Sequence, residues 1–210
     1  MSANELIQRR GAMMQSRSGG IDWESIARGM CDGTTSFEIP EAVGLDPVQQ
    51  MCYRRQGLAS VTIPSGVSTI GQRCFLICGG LESVTLPSTI TKIESSAFES
   101  CAMLTSINLE DTGLTEIGGA AFASCSILPS VTIPSTITKI DAQAFRYCRG
   151  LVEVVVLATT PPTLGSNAFQ FTHADLAIYV PDASVSAYKA DSNWSTYAGK
   201  IKGISEKPTT

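Results

Sequence analysis

Residues 81–103 read LESVTLPSTITKIESSAFESCAM, and the neighbouring stretches of the chain repeat this pattern. The sequence is LASVTIPSGVSTIGQRCFLICGG over 58–80, LTSINLEDTGLTEIGGAAFASCSI over 104–127 and LPSVTIPSTITKIDAQAFRYCRG over 128–150. Each copy places a Phe three residues before a Cys. A pattern that returns at a fixed interval of this size predicts a solenoid, because one unit is too small to bury its apolar face without stacking on its neighbours.

Two weaker copies flank these four. Residues 151–174 keep Phe169 but have Thr172 in place of the Cys, and residues 34–57 have Met51 where the Phe is expected. Terminal units of a stack are expected to be atypical, since one of their faces has no neighbour. In chain order, the six copies are named repeats 1 to 6. We predict an N-terminal helix, linker and cap over 1–33, a solenoid of about six repeats over 34–181, and a C-terminal cap and tail over 182–210.

Repeat 3 illustrates the structure expected of one unit. Apolar and hydroxyl residues alternate over 83–86, which is the period of two that marks a half-buried strand. Pro87 ends that strand because it has no N–H to donate, and a second short extended segment is predicted around Ile93. Phe98 and Cys101 then recur with helical spacing, which predicts a short helix. The expected fold class is an α/β repeat solenoid of 23–24-residue units, each with a short strand, a second short extended segment and a short helix.

Stacking would place equivalent side chains directly over one another. Because neighbouring strands are about 4.8 Å apart, the Phe ring of one repeat should lie close to the rings before and after it. Cys78, Cys101, Cys125 and Cys148 would form a similar ladder that faces the core. We expect buried free thiols that pack as small hydrophobic groups, since parallel side chains need not reach the torsion of about 90° that a disulfide requires. No Cys or His pair completes a zinc site.

The pattern L-x-x-V-x-I-P-x-x-V-x-x-I-x-x-x-A-F-x-x-C resembles the BspA-like leucine-rich repeats, also called LRR type 5, of bacterial surface proteins. The match covers 34–181, and the segment IYVPDASVSAYKADSNWSTYAGKIKGI is similar to the closing segment of such proteins. The resemblance implies a right-handed superhelix, a role in protein binding and adhesion at the cell surface, and no enzymatic activity.

Composition and motifs argue against several classes of function. A net charge of −4 and a pI near 5.0 do not fit a general binder of nucleic acid or anionic membranes, which would need a clustered basic face. His173 is the only histidine, and no nucleophile elbow, P-loop or dinucleotide-binding glycine motif occurs, so we expect no enzymatic activity, cofactor or metal site. No apolar stretch is long enough for membrane insertion. No signal peptide is recognisable before Pro40, which favours a cytoplasmic or phage-associated location, whereas the resemblance favours the cell surface or an extracellular location.

The outward residues of successive strands should line one continuous surface, which is the candidate partner-binding site. They are Ser60, Thr62, Ser83, Thr85, Ser106, Asn108, Ser130, Thr132, Glu153, Val155 and Tyr179. Short hydroxyl side chains dominate this face, so it is either a weakly featured contact surface or a solubilising ladder that supports strand pairing. Glu153, Val155 and Tyr179 interrupt the series and mark an alternative contact area at the C-terminal end.

Both ends of the chain carry apolar side chains that need a partner. Residues 3–16 place such side chains on one side of a helix that Gly11 weakens, and this segment either caps the first repeat, self-associates or is disordered. Aromatic side chains of the C-terminal part are expected to cover the last repeat, and the alternative is a ligand-binding aromatic cluster; they are Tyr179, Tyr188, Trp194 and Tyr197. We favour a non-enzymatic module that binds a protein or surface partner through its solenoid sheet. The alternative is a structural subunit, for example of a phage particle, that forms a homo-oligomer through residues 1–16.

Overall fold

The computed structural model describes residues 36–38 and 57–208, in which short parallel strands alternate with turns. The strands are β1 (Ser36–Glu38), β2 (Ser60–Thr62), β3 (Thr69–Ile70), β4 (Ser83–Thr85), β5 (Lys92–Ile93), β6 (Ser106–Ile107), β7 (Glu116–Ile117), β8 (Ser130–Ile133), β9 (Lys139–Ile140), β10 (Glu153–Val156), β11 (Thr163–Leu164), β12 (Ala177–Val180) and β13 (Ile201–Gly203). Paired residues in these strands lie 23 or 24 positions apart in the chain. The backbone therefore coils once per repeat, as the sequence predicts.

Two sheets run along the coil. The front sheet consists of two parts, β1-β2-β4-β6 and β8-β10-β12-β13, and the second sheet has the order β3-β5-β7-β9-β11. Each of repeats 2 to 6 contributes one strand to each sheet, which confirms the strand and the second extended segment predicted for one unit. Inward side chains of both sheets, such as Val84 and Ile93, belong to one hydrophobic core.

The helical segments described are short and concentrate after the last repeat. The α-helix is α1 (Val185–Ala190), and 3-10 helices span Leu109–Asp111, Asp182–Ser184, Ser195–Lys200 and Ile204–Glu206. The sheets and the core they enclose therefore provide most of the ordered framework in repeats 2 to 6.

An aromatic column runs through the core, and it confirms the stacking predicted from the repeat interval. Its members are Phe75, Phe98, Phe122, Phe145 and Phe169, all 0–2 % exposed. Neighbouring ring centroids are 5.1–5.4 Å apart and their planes differ by 4–10°. Aromatic pairs at such distances contribute about 0.5–1.5 kcal/mol beyond the burial of their area. The column therefore ties each repeat to the next.

The short helix predicted around the Phe and Cys of each repeat is wrong, since that part of the chain is a run of turns. We call this run the turn segment; in repeat 3 it comprises residues 95–100. Ser96 and Ser100 have φ values of 57° and 62°, and left-handed residues are incompatible with a continuous right-handed helix. The N–H groups of Phe98 and Ser100 donate to the carbonyls of Ala121 and Ala123 in the next repeat, at 2.7 and 2.8 Å. The turn segment therefore bonds between repeats, where a helix would bond only within one.

The cysteine ladder consists of buried free thiols in repeats 3 to 5, as predicted. The Sγ atoms of Cys101, Cys125 and Cys148 donate to the carbonyl oxygens of Phe75, Phe98 and Phe122 at 3.2, 3.2 and 3.0 Å. Burial raises the pKa of each of these thiols, and it raises the pKa of Cys148 to about 12. Each thiol thus stays protonated near neutral pH and serves as a hydrogen-bond donor to the preceding repeat.

The front sheet is interrupted between repeats 4 and 5, where β6 and β8 are not paired. The side chain of Asn108 takes the place of a longer strand: its Oδ1 accepts from the Leu86 N–H at 2.7 Å and its Nδ2 donates to the Leu86 carbonyl at 3.0 Å. Pro129 precedes β8 at the position where Glu82 and Thr105 donate an N–H to the previous repeat. Proline has no N–H, so this hydrogen bond cannot form at the interruption.

Aromatic side chains of the C-terminal residues cover Phe169, the last ring of the column. The rings of Trp194 and Tyr197 lie 6.2 and 5.6 Å from it, and the Tyr197 hydroxyl accepts the Phe169 N–H at 3.2 Å. In earlier repeats this N–H donates to the following repeat. The buried Tyr188 and Trp194 each donate to a carbonyl of repeat 6 at 2.8 Å. These side chains therefore supply the contacts that a further repeat would otherwise make.

Candidate partner-binding surfaces

The outward hydroxyl side chains of the front sheet form the first candidate surface. Thr62, Thr85, Ser106 and Ser130 are exposed, and Ser60, Ser83 and Thr132 are half-buried. Their hydroxyls form no hydrogen bond with any residue that the structure describes. Hydroxyls elsewhere do link the repeats: those of Thr91, Thr105, Thr115 and Thr138 donate to carbonyls of the preceding repeat at 2.9–3.3 Å. The front-sheet hydroxyls therefore do not connect neighbouring strands, and they remain available to a partner.

Several of the predicted contact residues are engaged or covered. The Asn108 amide forms hydrogen bonds with the Leu86 backbone, and its Nδ2 also donates to an Asp111 carboxylate oxygen at 3.1 Å. Val155 and Tyr179 are only 6 % and 5 % exposed, although both lie outside the main core. The alternative contact area at the C-terminal end is therefore not accessible at these two residues, and that expectation is wrong.

A C-terminal side chain also engages the third residue of this area. Lys207 forms an ion pair with Glu153 at 2.8 Å, which places its amine beside the first residue of β10. Val155 and Tyr179 face one another across β10 and β12 on that same side. Alternation along a strand distinguishes inward from outward positions, but it does not reveal which outward positions a distant segment covers.

Charges on the outward face of the second sheet pair with one another. Glu116 lies 3.4 Å from Lys92 and 3.3 Å from Lys139, and Lys139 also contacts Asp141 at 2.9 Å. The hydrogen bond between Lys139 and Asp141 lowers the pKa of the Asp141 carboxyl and raises the pKa of the Lys139 amine. Opposite charges on neighbouring strands support the pairing of those strands. These charges therefore stabilise the pairing of strands in the second sheet. Because each of them already has an ionic partner, they are less available to bind a partner protein.

A third surface, which we call the flank, lies between the end of the turn segment and the start of the next front strand. It carries every large hydrophobic side chain that is exposed among the described residues: Met103 (46 %), Ile127 (42 %), Tyr147 (37 %), Val152 (41 %) and Phe171 (52 %). This surface was not predicted from the sequence. Its signal was present, because the last position of the turn segment is Ser100 and Ser124 in repeats 3 and 4 but Tyr147 and Phe171 in repeats 5 and 6.

An arginine lies against the two aromatic rings of the flank. The rings of Tyr147 and Phe171 are stacked at 4.9 Å with an interplanar angle of 10°. The Cζ atom of Arg146 is 4.7 Å from the centroid of Tyr147 and 5.5 Å from that of Phe171. A guanidinium within about 6 Å of a ring centroid is attracted by the electrons of the ring. The three side chains therefore hold one another in place at the surface.

Residues 1–16, to which self-association was assigned, lie outside the described residues, so that assignment stays a prediction. Within the described part of the chain, no group of three or more His, Cys, Asp or Glu side chains could hold a metal ion. No helix in that part is long and apolar enough to cross a bilayer.

Comparisons with known proteins agree with the repeat architecture. A family model described as the BspA type leucine rich repeat region matches the chain in six copies over residues 30–174. The comparison with curated proteins gives no match.

Solved structures with this fold come from several bacteria. The T. pallidum leucine-rich-repeat protein is 24 % identical, with a TM-score of 0.60, over 81 % of this chain and 86 % of that one. A Bacteroides ovatus leucine-rich-repeat protein is 25 % identical, with a TM-score of 0.60, over 82 % of this chain and 43 % of that one. A leucine-rich cell surface protein of Faecalibacterium prausnitzii is 27 % identical, with a TM-score of 0.53, over 77 % of this chain and 50 % of that one. This chain thus spans about half or less of the length of the last two.

Proposed function

Because the chain belongs to the BspA-type leucine-rich-repeat family, we propose that it is a non-enzymatic module that binds a protein or cell-surface partner through the front sheet. Leucine-rich-repeat proteins generally mediate protein interactions. The similar protein of F. prausnitzii is described as a cell surface protein, which supports adhesion at a bacterial surface as the setting.

The observation that carries the proposal is the row of unused hydroxyls on the front sheet. Thr62, Thr85, Ser106 and Ser130 are exposed on neighbouring repeats, and their hydroxyls make no hydrogen bond with a described residue. A row of short donors and acceptors at the strand spacing suits an extended surface with polar groups at similar intervals. Large anchoring side chains are absent from this row, so it provides breadth of contact and little affinity at any one point.

Charge insertion on the front sheet, compared with charge insertion elsewhere, in repeat 6, tests the proposal. The front variant combines Thr85→Lys and Ser130→Lys, and the control variant combines Thr163→Lys and Ser166→Lys, which are exposed outside the front sheet. The parent chain and both variants are immobilised, and proteins retained from a surface extract of the source cells are identified by mass spectrometry. We expect proteins that bind the parent and the control variant but not the front variant. Retention of the same proteins by all three chains would refute use of the front sheet.

A further inference from the structure

The flank concentrates features that the front sheet lacks. Interfaces derive most of their affinity from a few buried aromatic and arginine side chains, and large exposed apolar patches on soluble proteins mark interaction sites. The front sheet presents short hydroxyl residues, whereas every exposed large apolar side chain in the described residues lies on the flank. The flank is therefore the better position for an anchoring contact.

The aromatic pair ends abruptly at Tyr147, which leaves a step on the surface. Phe171 stacks on one side of the Tyr147 ring, while repeat 4 has the small Ser124 at the equivalent position on the other side. Phe171 is the only described ring that Tyr147 contacts. Neighbouring rings of the column lie about 5 Å apart, which is within the centroid distance that stacked aromatic rings favour. A partner's ring could therefore stack on Tyr147 above Ser124, with Ile127 exposed in the same repeat.

Positive charge accompanies this step. Arg146 lies over the aromatic pair and Arg149 is exposed two residues after Tyr147, yet neither forms an ion pair with a described residue. The chain as a whole carries a net charge of −4, so the charge of this site is opposite to that of the protein. Two buried polar atoms in the described residues lack a hydrogen-bond partner, and both adjoin the aromatic pair: Nε of Arg146 and Oε1 of Gln170. Such atoms are rare in folded proteins, and both belong to residues that precede a ring of the pair in the chain.

We propose that this part of the flank binds an acidic peptide segment that carries an aromatic side chain. The partner's ring stacks on Tyr147, and its carboxylates pair with Arg146 and Arg149 in the fork geometry that guanidinium groups favour. This inference deepens the proposed function, since it supplies the anchor for a protein partner whose remaining contacts spread over the front sheet.

Peptides of defined composition test the chemistry of recognition. The first is a blocked peptide with one phenylalanine between two glutamates, and calorimetry measures its dissociation constant with the full chain. One comparison peptide replaces the glutamates by glutamines, and another replaces the phenylalanine by alanine. We expect the loss of charge to weaken binding roughly three- to tenfold and the loss of the ring to weaken it at least about fivefold. Equal affinity for all three peptides, or no binding of the first, overturns the proposal, as does binding of an acidic oligosaccharide in preference to every peptide.

Substitutions taken from equivalent positions of other repeats locate the site without threatening the fold. Tyr147→Ser introduces the residue found at position 124, and Arg146→Gln introduces the residue found at position 170. Ser124 has the same positive φ of 62° as Tyr147, so serine is already accommodated in this backbone conformation. Both variants should bind the acidic aromatic peptide at least about fivefold more weakly, while the front variant Thr85→Lys with Ser130→Lys should bind it like the parent. Unchanged binding by the flank variants refutes the flank site and leaves the front-sheet proposal to its own capture experiment.

Discussion

Replacement of Phe122 should show how strongly the aromatic column couples the repeats. The ring is 0 % exposed and stacks on Phe98 at 5.2 Å and on Phe145 at 5.1 Å. Phe122→Ala deletes a fully buried ring, which costs about 3–5 kcal/mol of unfolding free energy. Phe122→Leu keeps most of the apolar volume but loses both stacks, and two stacks at about 0.5–1.5 kcal/mol each give a cost of about 1–3 kcal/mol. Against a typical stability of about 5–15 kcal/mol, either loss is large.

Urea unfolding followed by circular dichroism and tryptophan fluorescence measures both variants. Phe171→Ser is the matched control, because Phe171 is 52 % exposed and its one ring stack lies at the surface. The control should lose less than about 1.5 kcal/mol. A Phe122→Ala variant within about 1 kcal/mol of the parent would refute the column as a source of stability. A Phe122→Leu variant as stable as the parent would show that volume, and not stacking, matters at this position.

Two further perturbations address the amide of Asn108 and the thiol of Cys148. Asn108→Ala removes both hydrogen bonds to the Leu86 backbone and should cost about 1–3 kcal/mol in urea unfolding. Asn108→Asp keeps the acceptor but places a carboxylate oxygen against the Leu86 carbonyl and the Asp111 carboxylate, so it should cost at least as much as Asn108→Ala. An Asn108→Asp variant as stable as the parent would contradict the role of the amide as a donor. Burial raises the pKa of Cys148 from 9.0 to about 12, so between these pH values the folded chain keeps a proton that the unfolded chain releases. The stability that this thiol contributes is complete below pH 9. It declines towards pH 12 by up to roughly 4 kcal/mol of unfolding free energy. Unfolding titrations across this range should therefore show a flatter decline for Cys148→Ser than for the parent, and identical profiles would argue against this linkage.

The predicted short helix shows where periodicity alone is ambiguous. In the turn segment of repeat 3, the N–H of Cys101 donates to the carbonyl of Phe98 at 3.2 Å, three residues earlier. Bonds of this span give the same spacing of buried side chains as one turn of a helix. The left-handed backbone at Ser96 and Ser100 distinguishes the two structures, and serine at both positions gives no strong signal of it. The sequence therefore predicted which side chains are buried here, but not the backbone that buries them.

The coil, its interval, the strands and the aromatic column could be predicted from the sequence, because they follow from local alternation and from equal spacing of equal residues. Which outward positions are accessible could not be predicted, since it depends on contacts between distant parts of the chain. Lys207 forms an ion pair with Glu153, and Val155 and Tyr179 are buried although they lie at outward positions. The Asn108 side chain bonds to the Leu86 backbone, and Arg146 packs on two rings of neighbouring repeats. Each of these contacts joins residues that are far apart in the chain or departs from the repeat. A pattern read along the sequence records what the repeats share, whereas the candidate binding surfaces arise where the repeats differ.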